Sequence, residues 1–203
     1  RRAMKISLPP PIIDGSVSLE QCLYTRRCQR KFSDSPLTLP EISQLAWAAL
    51  GITSRKGYRT CPSAGALYPL ELLVLAANVQ DLAAGLYRYA VKPHELHLIN
   101  PGDLRHALAD AGLGQSAIRE APACLVFTAF YERTTGKYGQ RGVQYVHMEA
   151  GHAAQNVCLQ IAALGLATVM IGAFHDDRVK KNLSLVQDEN PLYILPVGRA
   201  RIA

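Results

Sequence analysis

The feature that most constrains the fold is one long periodic segment, Gln140–Leu166. Its apolar side chains recur at steps of three and four residues, at Val143, Val146, Ala150, Ala153, Val157, Ile161 and Leu164. This spacing places them on one face of an α-helix, which Gly165 ends. A long helix with one apolar face must pack against other elements, so the sequence predicts a domain built around it.

Shorter segments predict the elements that surround this helix. The predicted strands are Leu70–Ala77, Ala123–Phe130, Ala167–Ile171, Leu192–Val197 and a hairpin of Gly85–Val91 with Glu95–Ile99. The predicted helices begin at the capping boxes Ser18–Gln21 and Thr38–Glu41, and shorter ones cover Asp103–Ala111 and the region near Asp177–Leu183. The expected fold class is α+β, a central, mostly antiparallel sheet flanked by helices. We expect an N-terminal arm over residues 1–17 and one domain over residues 18–203.

Composition and hydropathy exclude several classes of protein. With 49% hydrophobic and 19% charged residues, the chain can form a substantial core and is unlike a disordered protein. Its apolar runs fall far short of the ~20 residues that a membrane span needs, and no secretory signal is visible. Five cysteines at wide spacings without a CxxC pair favour a reducing compartment, so we expect a cytoplasmic protein.

The net charge of +6 suggests an anionic partner. The basic residues occur in small groups rather than in a long stripe with aromatic residues, which favours a small phosphorylated ligand over nucleic acid. His147 and His152 lie five residues apart, about 140° around a helix, and so do not share a metal-binding face. We therefore predict neither a metal site nor a nucleic-acid interface.

Arg26, Arg27 and Arg30 form the densest basic cluster. If the preceding helix continues through them, Arg26 and Arg30 lie one turn apart on one face. Two guanidinium groups placed in this way can bind a phosphate through paired, charge-assisted hydrogen bonds. The alternative interpretation is a solvated basic helix end, which the helix dipole also favours.

Two segments of small residues and one Lys-Tyr pair complete the candidates. Pro62–Ala66 and Ile171–Ala173 would let a backbone approach a flat ligand closely, although an ordinary loop and a plain strand end explain them equally well. A Lys137 ammonium beside Tyr138 would favour the phenolate and provide a base or a proton donor. Adjacent side chains usually point apart, so the pattern alone leaves this pairing open.

Taken in order, these segments resemble the nitroreductase superfamily and, within it, the SagB-type or thiazole/oxazole dehydrogenase branch. The resemblance covers nearly the whole chain. It rests on Arg26-Arg27-Cys28-Gln29-Arg30, Pro62–Pro69, Lys137-Tyr138-Gly139, Glu149–Asn156, Gly165–Gly172 and Pro196-Val197-Gly198.

The resemblance implies a homodimer with FMN bound at the subunit interface. It assigns Arg26, Arg27 and Arg30 to the FMN phosphate and ribityl chain, with Cys28 where the family usually has serine. It also implies that Arg199 or Arg201 completes the phosphate site.

The remaining flavin contacts also follow from the resemblance. The loop that the partner subunit contributes corresponds to Pro62, Ser63, Ala64 and Gly65, and Gln115 matches a polar flavin contact. The segment beside the isoalloxazine corresponds to Ile171, Gly172 and Ala173.

The implied activity is an FMN-dependent dehydrogenation. Lys137 and Tyr138 would remove a proton while hydride passes to flavin N5, as in the oxidation of an azoline to an azole. An NAD(P)H-dependent reductase of nitro compounds or quinones fits the same resemblance, and so does a non-catalytic flavin-binding subunit of a modification complex. The substrate is expected to be a small molecule or a modified peptide.

Overall fold

A seven-stranded sheet forms the centre of the computed structural model, which describes residues 4–201. Its strands are β1 (Lys5–Ser7), β2 (Leu70–Ala76), β3 (Gly85–Ala90), β4 (Glu95–Pro101), β5 (Ala123–Phe130), β6 (Ala167–Thr168) and β7 (Glu189–Gly198). They lie in the order β1-β4-β3-β2-β5-β7-β6, and every pair of neighbours is antiparallel. The predicted α+β class, the antiparallel sheet and the β3–β4 hairpin are confirmed.

Helices pack on both faces of this sheet. They are α1 (Leu19–Thr25), α2 (Leu39–Leu50), α3 (Arg105–Ala111), α4 (Ser116–Glu120), α5 (Glu132–Tyr138), α6 (Arg141–Ala163) and α7 (Asp176–Asn182). Successive side chains of a strand point to opposite faces of the sheet, so the protein has two hydrophobic cores. Leu72 and Val74 of β2 pack on one face with α2 and α6. Leu73 and Leu75 pack on the other face with α3, α4 and α7. The long predicted helix is confirmed as α6.

The N-terminal segment lies against the domain. Strand β1 pairs with β4, and further along Ile12 and Gln44 of α2 exchange two hydrogen bonds of 2.8 and 2.9 Å. The first three residues of the predicted arm lie outside the described residues. Within the described part of the chain, no helix is long and apolar enough to cross a bilayer.

Two predicted elements differ from the structure. Helix α1 ends at Thr25, so the expectation that Arg26 and Arg30 lie on a helix is wrong. Instead Cys28 forms a bridge to Thr168 of β6, and this pairing draws the chain away from the helix axis. The predicted strand Ala167–Ile171 is also shorter, because Val169 faces Pro196, which has no N–H to donate to the ladder.

Candidate active site

A basic cleft lies where α6 ends and β6 begins. Arg26 and Arg27 line this open cleft of about 610 Å³, together with Cys158, Gly165 and Thr168. Residues Arg26 to Arg30 are held at this cleft by backbone pairing with β6, because the Gln29 N–H donates to the Thr168 carbonyl at 2.8 Å.

The charges of this cluster are largely uncompensated. Within residues 4–201, neither Arg26 nor Arg30 forms an ion pair, and Arg27 donates only to the carbonyls of Tyr24 and Arg26. Guanidinium groups without carboxylate partners are suited to an anionic ligand. The cysteine in the motif, Cys28, is exposed, and all five cysteines are free thiols.

Arg199 and Arg201 reach the same region from the end of β7. Their backbones pair with the residues that follow the arginine cluster: the Ser33 N–H donates to the Arg199 carbonyl, and the Arg201 N–H donates to the Lys31 carbonyl. Arg199 is ion-paired with Glu41 at 2.9 Å, whereas Arg201 is exposed.

Four residues predicted to contact the flavin lie together: three follow β6, and the fourth is Gln115. Ile171 pairs with Ile194 of β7, and Gly172 is exposed directly after it. The Gln115 side chain donates to the Ala173 carbonyl at 3.1 Å. Gln115, the expected polar flavin contact, therefore touches the Ile171–Ala173 segment that is expected to lie beside the isoalloxazine.

A cavity of about 870 Å³ opens beside Gly172, and its wall includes Tyr131 and His147. The Tyr131 hydroxyl lies 2.6 Å from His147 Nε2. Burial raises the pKa of Tyr131, and the negative charge of Asp176 raises it further. Sequence reasoning missed this pair because it tested His147 only as a metal ligand.

The Pro62–Ala66 loop turns tightly, and Ser63 and Gly65 determine its shape. The Ser63 Oγ accepts a hydrogen bond from the Tyr68 N–H at 2.9 Å. Gly65 has a φ of 62°, a conformation that favours glycine. A Cβ at Gly65 would lie 2.7 Å from the Tyr138 hydroxyl and 3.2 Å from Lys137 Nζ, so both side chains point at this glycine.

Lys137 and Tyr138 converge because they form the last turn of α5. Gly139, with a φ of 56°, ends the helix, and its N–H donates to the Thr135 carbonyl. Lys137 Nζ lies 5.3 Å from the centre of the Tyr138 ring. Tyr138 also packs edge-on against Tyr145 of α6, which fixes its orientation.

Two ionisable residues beside this loop were not singled out by the sequence. Glu149 is buried on α6, 4% exposed, and burial raises its pKa to about 7 although the nearby Ser63 hydroxyl and the charge of Arg59 favour the ionised form. The Arg59 guanidinium stacks 4.1 Å from the Tyr68 ring, and burial lowers its pKa. A carboxylic acid within the apolar face of a helix is the signal that could have indicated Glu149.

Helix α6 separates the two groups of candidate residues within one chain. At about 3.6 residues per turn, Tyr145 and Glu149 lie on one flank of α6, and Cys158 and Ala162 lie on the opposite flank. The first flank contacts the Lys137–Tyr138 group and the second lines the arginine cleft. Tyr145 and Ala162 are also about 25 Å apart along the helix axis, at ~1.5 Å per residue.

This fold and arrangement define the class of protein. The sequence model of the Nitroreductase family matches residues 23–199, and the chain belongs to this family.

Individual relatives refine the comparison. A protein of Methanocaldococcus jannaschii named as a nitroreductase is 45% identical over 97% of this chain and 96% of its own length. The microcin B17-processing protein McbC of Escherichia coli is 29% identical over 64% of this chain, and the match spans 49% of McbC. The crystal structure of a nitroreductase-named protein from Ralstonia eutropha is 32% identical, with a TM-score of 0.86, over 98% of this chain and 90% of that one.

Proposed function

We propose that this nitroreductase-family protein is an FMN-dependent dehydrogenase of the SagB-like type. The observation that carries the proposal is the convergence of Lys137 and Tyr138 on Gly65, within the small-residue loop that resembles a flavin-binding loop. The similarity to McbC, a microcin-processing protein, supports the same branch of the family. From the resemblance to thiazole/oxazole dehydrogenases, we propose an azoline ring in a small molecule or a modified peptide as the substrate.

The residues present fit FMN. Arg26 and Arg30 provide uncompensated positive charge for a dianionic phosphate, and Arg201 lies on the adjacent segment. Thr168 and Gly172 are separated by about 13 Å of extended chain, which is sufficient for a phosphate and a ribityl chain that extend about 10 Å at usual bond lengths. At Gly172 a Cβ would meet only Tyr193, at 3.7 Å, so the surface there is open to a flat ring.

When bound, FMN supplies the hydride acceptor. The protein must then remove a proton from the substrate carbon, and Tyr138 Oη and Lys137 Nζ are the two groups placed for this step. A Tyr138 phenolate is the form that would accept this proton, and the Lys137 ammonium beside it would supply the compensating positive charge. Tyr145 keeps the Tyr138 ring in place through an edge-on contact of 5.2 Å between ring centres.

We also propose a homodimer with composite sites. One FMN would have to pass around α6 to reach both the arginine cleft and Tyr138 of the same chain, because these groups contact opposite flanks of the helix, about 14 to 25 Å apart along its axis. Two copies can bring the arginines of one chain to the Ser63–Tyr138 group of the other. Ile12, Ile13 and Tyr24 are 70%, 78% and 76% exposed, and a second copy would remove this apolar surface from water.

The test begins with the absorbance spectrum of purified protein and mass identification of the released chromophore. We expect FMN. Lys137→Ala and Tyr138→Phe should lower azoline oxidation by at least ~100-fold while FMN stays bound, as expected for loss of an acid–base group. Lys181→Ala, at an exposed lysine of α7, serves as the control and should have no effect.

The similarity to the Methanocaldococcus protein favours a second candidate, an NAD(P)H-dependent reductase of nitro compounds or quinones. If the Lys137 and Tyr138 variants reduce such acceptors at the wild-type rate and no azoline is oxidised, this second function replaces the first. A third outcome, in which FMN binds but no donor or substrate reduces it, would indicate a non-catalytic subunit.

A further inference from the structure

Helix α5 carries Lys137 and Tyr138, yet few of its own residues hold it in place. It has seven residues, and within the described chain no side chain caps its N-terminus. Thr134 is buried, and the other residues of α5 are partly or fully exposed. A helix this short is not stable by itself in water. The placement of the Lys-Tyr pair therefore depends on contacts that α5 makes with other elements.

Arg133 makes three such contacts. Its Nη1 atom is ion-paired with Glu71 Oε1 of β2 at 2.7 Å and donates to the Tyr68 carbonyl at 3.2 Å. Its guanidinium group also lies 4.6 Å from the centre of the Phe130 ring, at the end of β5. One side chain thus joins α5 to the sheet and to the segment that continues from the Ser63–Gly65 turn.

These contacts bear directly on the candidate proton-transfer groups. Arg133 and Lys137 lie four residues apart, one turn along the same face of α5. On the other side, Tyr68 lies three residues after Gly65. Lys137 Nζ and the Tyr138 hydroxyl both point at Gly65. Arg133 therefore connects both sides of this convergence to one carboxylate on β2.

Glu71 is a firm attachment point because it belongs to an ionic network across the sheet. It accepts from Arg88 of β3 at 3.4 Å, and Arg88 forms paired hydrogen bonds of 2.9 and 2.8 Å with Glu189 of β7. Glu189 is 1% exposed and also accepts a hydrogen bond from Thr128 of β5. Two positive and two negative charges are thus matched over four neighbouring strands and α5, with Arg133 at the exposed end. Polar networks whose members are all satisfied make a structure rigid.

We propose that Arg133 is a positioning residue, which holds the last turn of α5 against the Ser63–Gly65 turn through its bonds to Glu71 and to the loop backbone. This inference rests on the proposed function, because it concerns the placement of the Lys-Tyr pair. Arg133 acts through α5 and does not touch the substrate. Its side chain is 42% exposed, so its ion pair adds little to global stability. Loss of Arg133 should therefore change geometry and turnover more than unfolding.

The test compares Arg133→Ala and Arg133→Lys with wild type, and Arg178→Ala, at an exposed arginine of α7, is the control. In the FMN-free chain, a nuclear Overhauser effect between the Tyr138 ring and the Gly65 α-protons measures the convergence directly. This effect should be lost in Arg133→Ala and kept in the control. In the FMN-bound enzyme, kcat for azoline oxidation should fall by ~10- to 100-fold in Arg133→Ala, because a small misplacement of reacting groups is costly. The KM for the azoline and the midpoint of urea unfolding should stay close to wild type.

Two comparisons separate positioning from general destabilisation. Both polar contacts of Arg133 use one nitrogen, so a lysine ammonium can replace them, and Arg133→Lys should restore the Overhauser effect and bring kcat to within about threefold of wild type. Glu71→Ala should reproduce the losses of Arg133→Ala, and the double variant should be no worse than the more affected single variant, because both changes remove the same interaction. The proposal is overturned by a wild-type Overhauser effect and kcat in Arg133→Ala, by a lysine variant as impaired as the alanine variant, or by additive losses in the double variant.

The readouts also separate this inference from the proposed function. If the wild-type chain binds no FMN or oxidises no azoline, the proposed function fails, yet the Overhauser effect in the FMN-free chain still reports on Arg133. If FMN binds and the azoline is oxidised, but the Arg133 variants match wild type, the positioning role alone is wrong.

Discussion

Among the single residues beside the candidate site, Glu149 has the clearest energetic cost. Its folded-state pKa of about 7 lies above the ordinary value of 4.5, because burial disfavours the charged form. The folded chain therefore binds more protons than the unfolded chain between these two pH values. Stability must fall as the pH rises through that window, by roughly 3 kcal/mol in total.

Glu149→Gln should remove this dependence. We expect the unfolding free energy of the variant, relative to wild type, to rise by roughly 3 kcal/mol between pH 4.5 and 8. Urea unfolding at a series of pH values measures the difference, with Glu120→Gln as the exposed control. Parallel curves for Glu149→Gln and wild type would show that the pKa of Glu149 is the same in the folded and unfolded chains.

Gly65 links the shape of the loop to the Lys-Tyr pair. Gly65→Ala adds a Cβ at a φ of 62°, 2.7 Å from the Tyr138 hydroxyl. The left-handed conformation alone costs about 1 kcal/mol or more, and Tyr138 must move, so we expect a loss of about 1–2 kcal/mol in stability together with loss of turnover. Gly136→Ala is the matched control in α5, where a Cβ meets nothing within 4 Å. It should stabilise the protein by up to about 1 kcal/mol and leave turnover intact.

The sequence indicated which residues of the site carry chemistry better than it indicated their neighbours. Lys137, Tyr138 and Gly65 stand in short motifs whose residue types are informative on their own. Glu149 left a weaker signal, a carboxylic acid within the apolar face of a helix. Arg59 comes to lie against Tyr68 only when the chain folds, and such long-range contacts leave no local pattern. The same limit explains why Tyr131 and His147, sixteen residues apart, were missed as a pair.

Among the helices and strands, the N-terminal cap of α2 also holds a distant part of the fold in place. In the capping box of α2, the Thr38 Oγ1 accepts from the Glu41 N–H, and a Glu41 oxygen accepts from the Thr38 N–H at 2.8 Å. Glu41 also binds Arg199, so one carboxylate joins the start of α2 to the end of β7. Removing this cap should therefore weaken the global fold.

Thr38→Ala should lower the unfolding free energy by about 1–2 kcal/mol, as expected for loss of an N-cap on a well-packed helix. Ser18→Ala removes the corresponding cap of α1, whose residues are mostly exposed apart from Cys22. Its effect should be smaller, because α1 can fray without opening the core. Chemical denaturation of both variants measures the difference, and equal losses would contradict the argument.

The sequence predicted the elements that have a strong hydrophobic period or a clear cap. It did not predict the elements that form only because they pair or pack with another part of the chain. Helix α6, the β3–β4 hairpin and both caps follow from spacing and residue type. Strand β1 has three residues and exists because it pairs with β4. Helix α5 was missed because its Thr-Thr-Gly sequence has no apolar stripe, although it carries the Lys-Tyr pair.

At the scale of the whole molecule, the proposed site consists of two parts that contact opposite flanks of α6 within one chain. The arginine cleft, β6 and Gly172 form one part, and the Ser63–Gly65 turn with Lys137 and Tyr138 forms the other. The contacts at Gly65 join loop and Lys-Tyr pair within the same chain. If the loop serves the FMN of a partner, Lys137 and Tyr138 must serve that same FMN.

This arrangement predicts complementation between two inactive variants. Arg26→Ala/Arg30→Ala removes the phosphate-binding part, and Tyr138→Phe removes the proton-transfer part, so each homodimer should be inactive at limiting FMN. A heterodimer, purified through two different tags, would pair both lesions in one site and leave the other site intact. We expect it to show about half of the wild-type turnover, as two-fold symmetry requires for one working site of two. If one chain supplied both parts, each site would carry one lesion and the heterodimer would be as inactive as its parents.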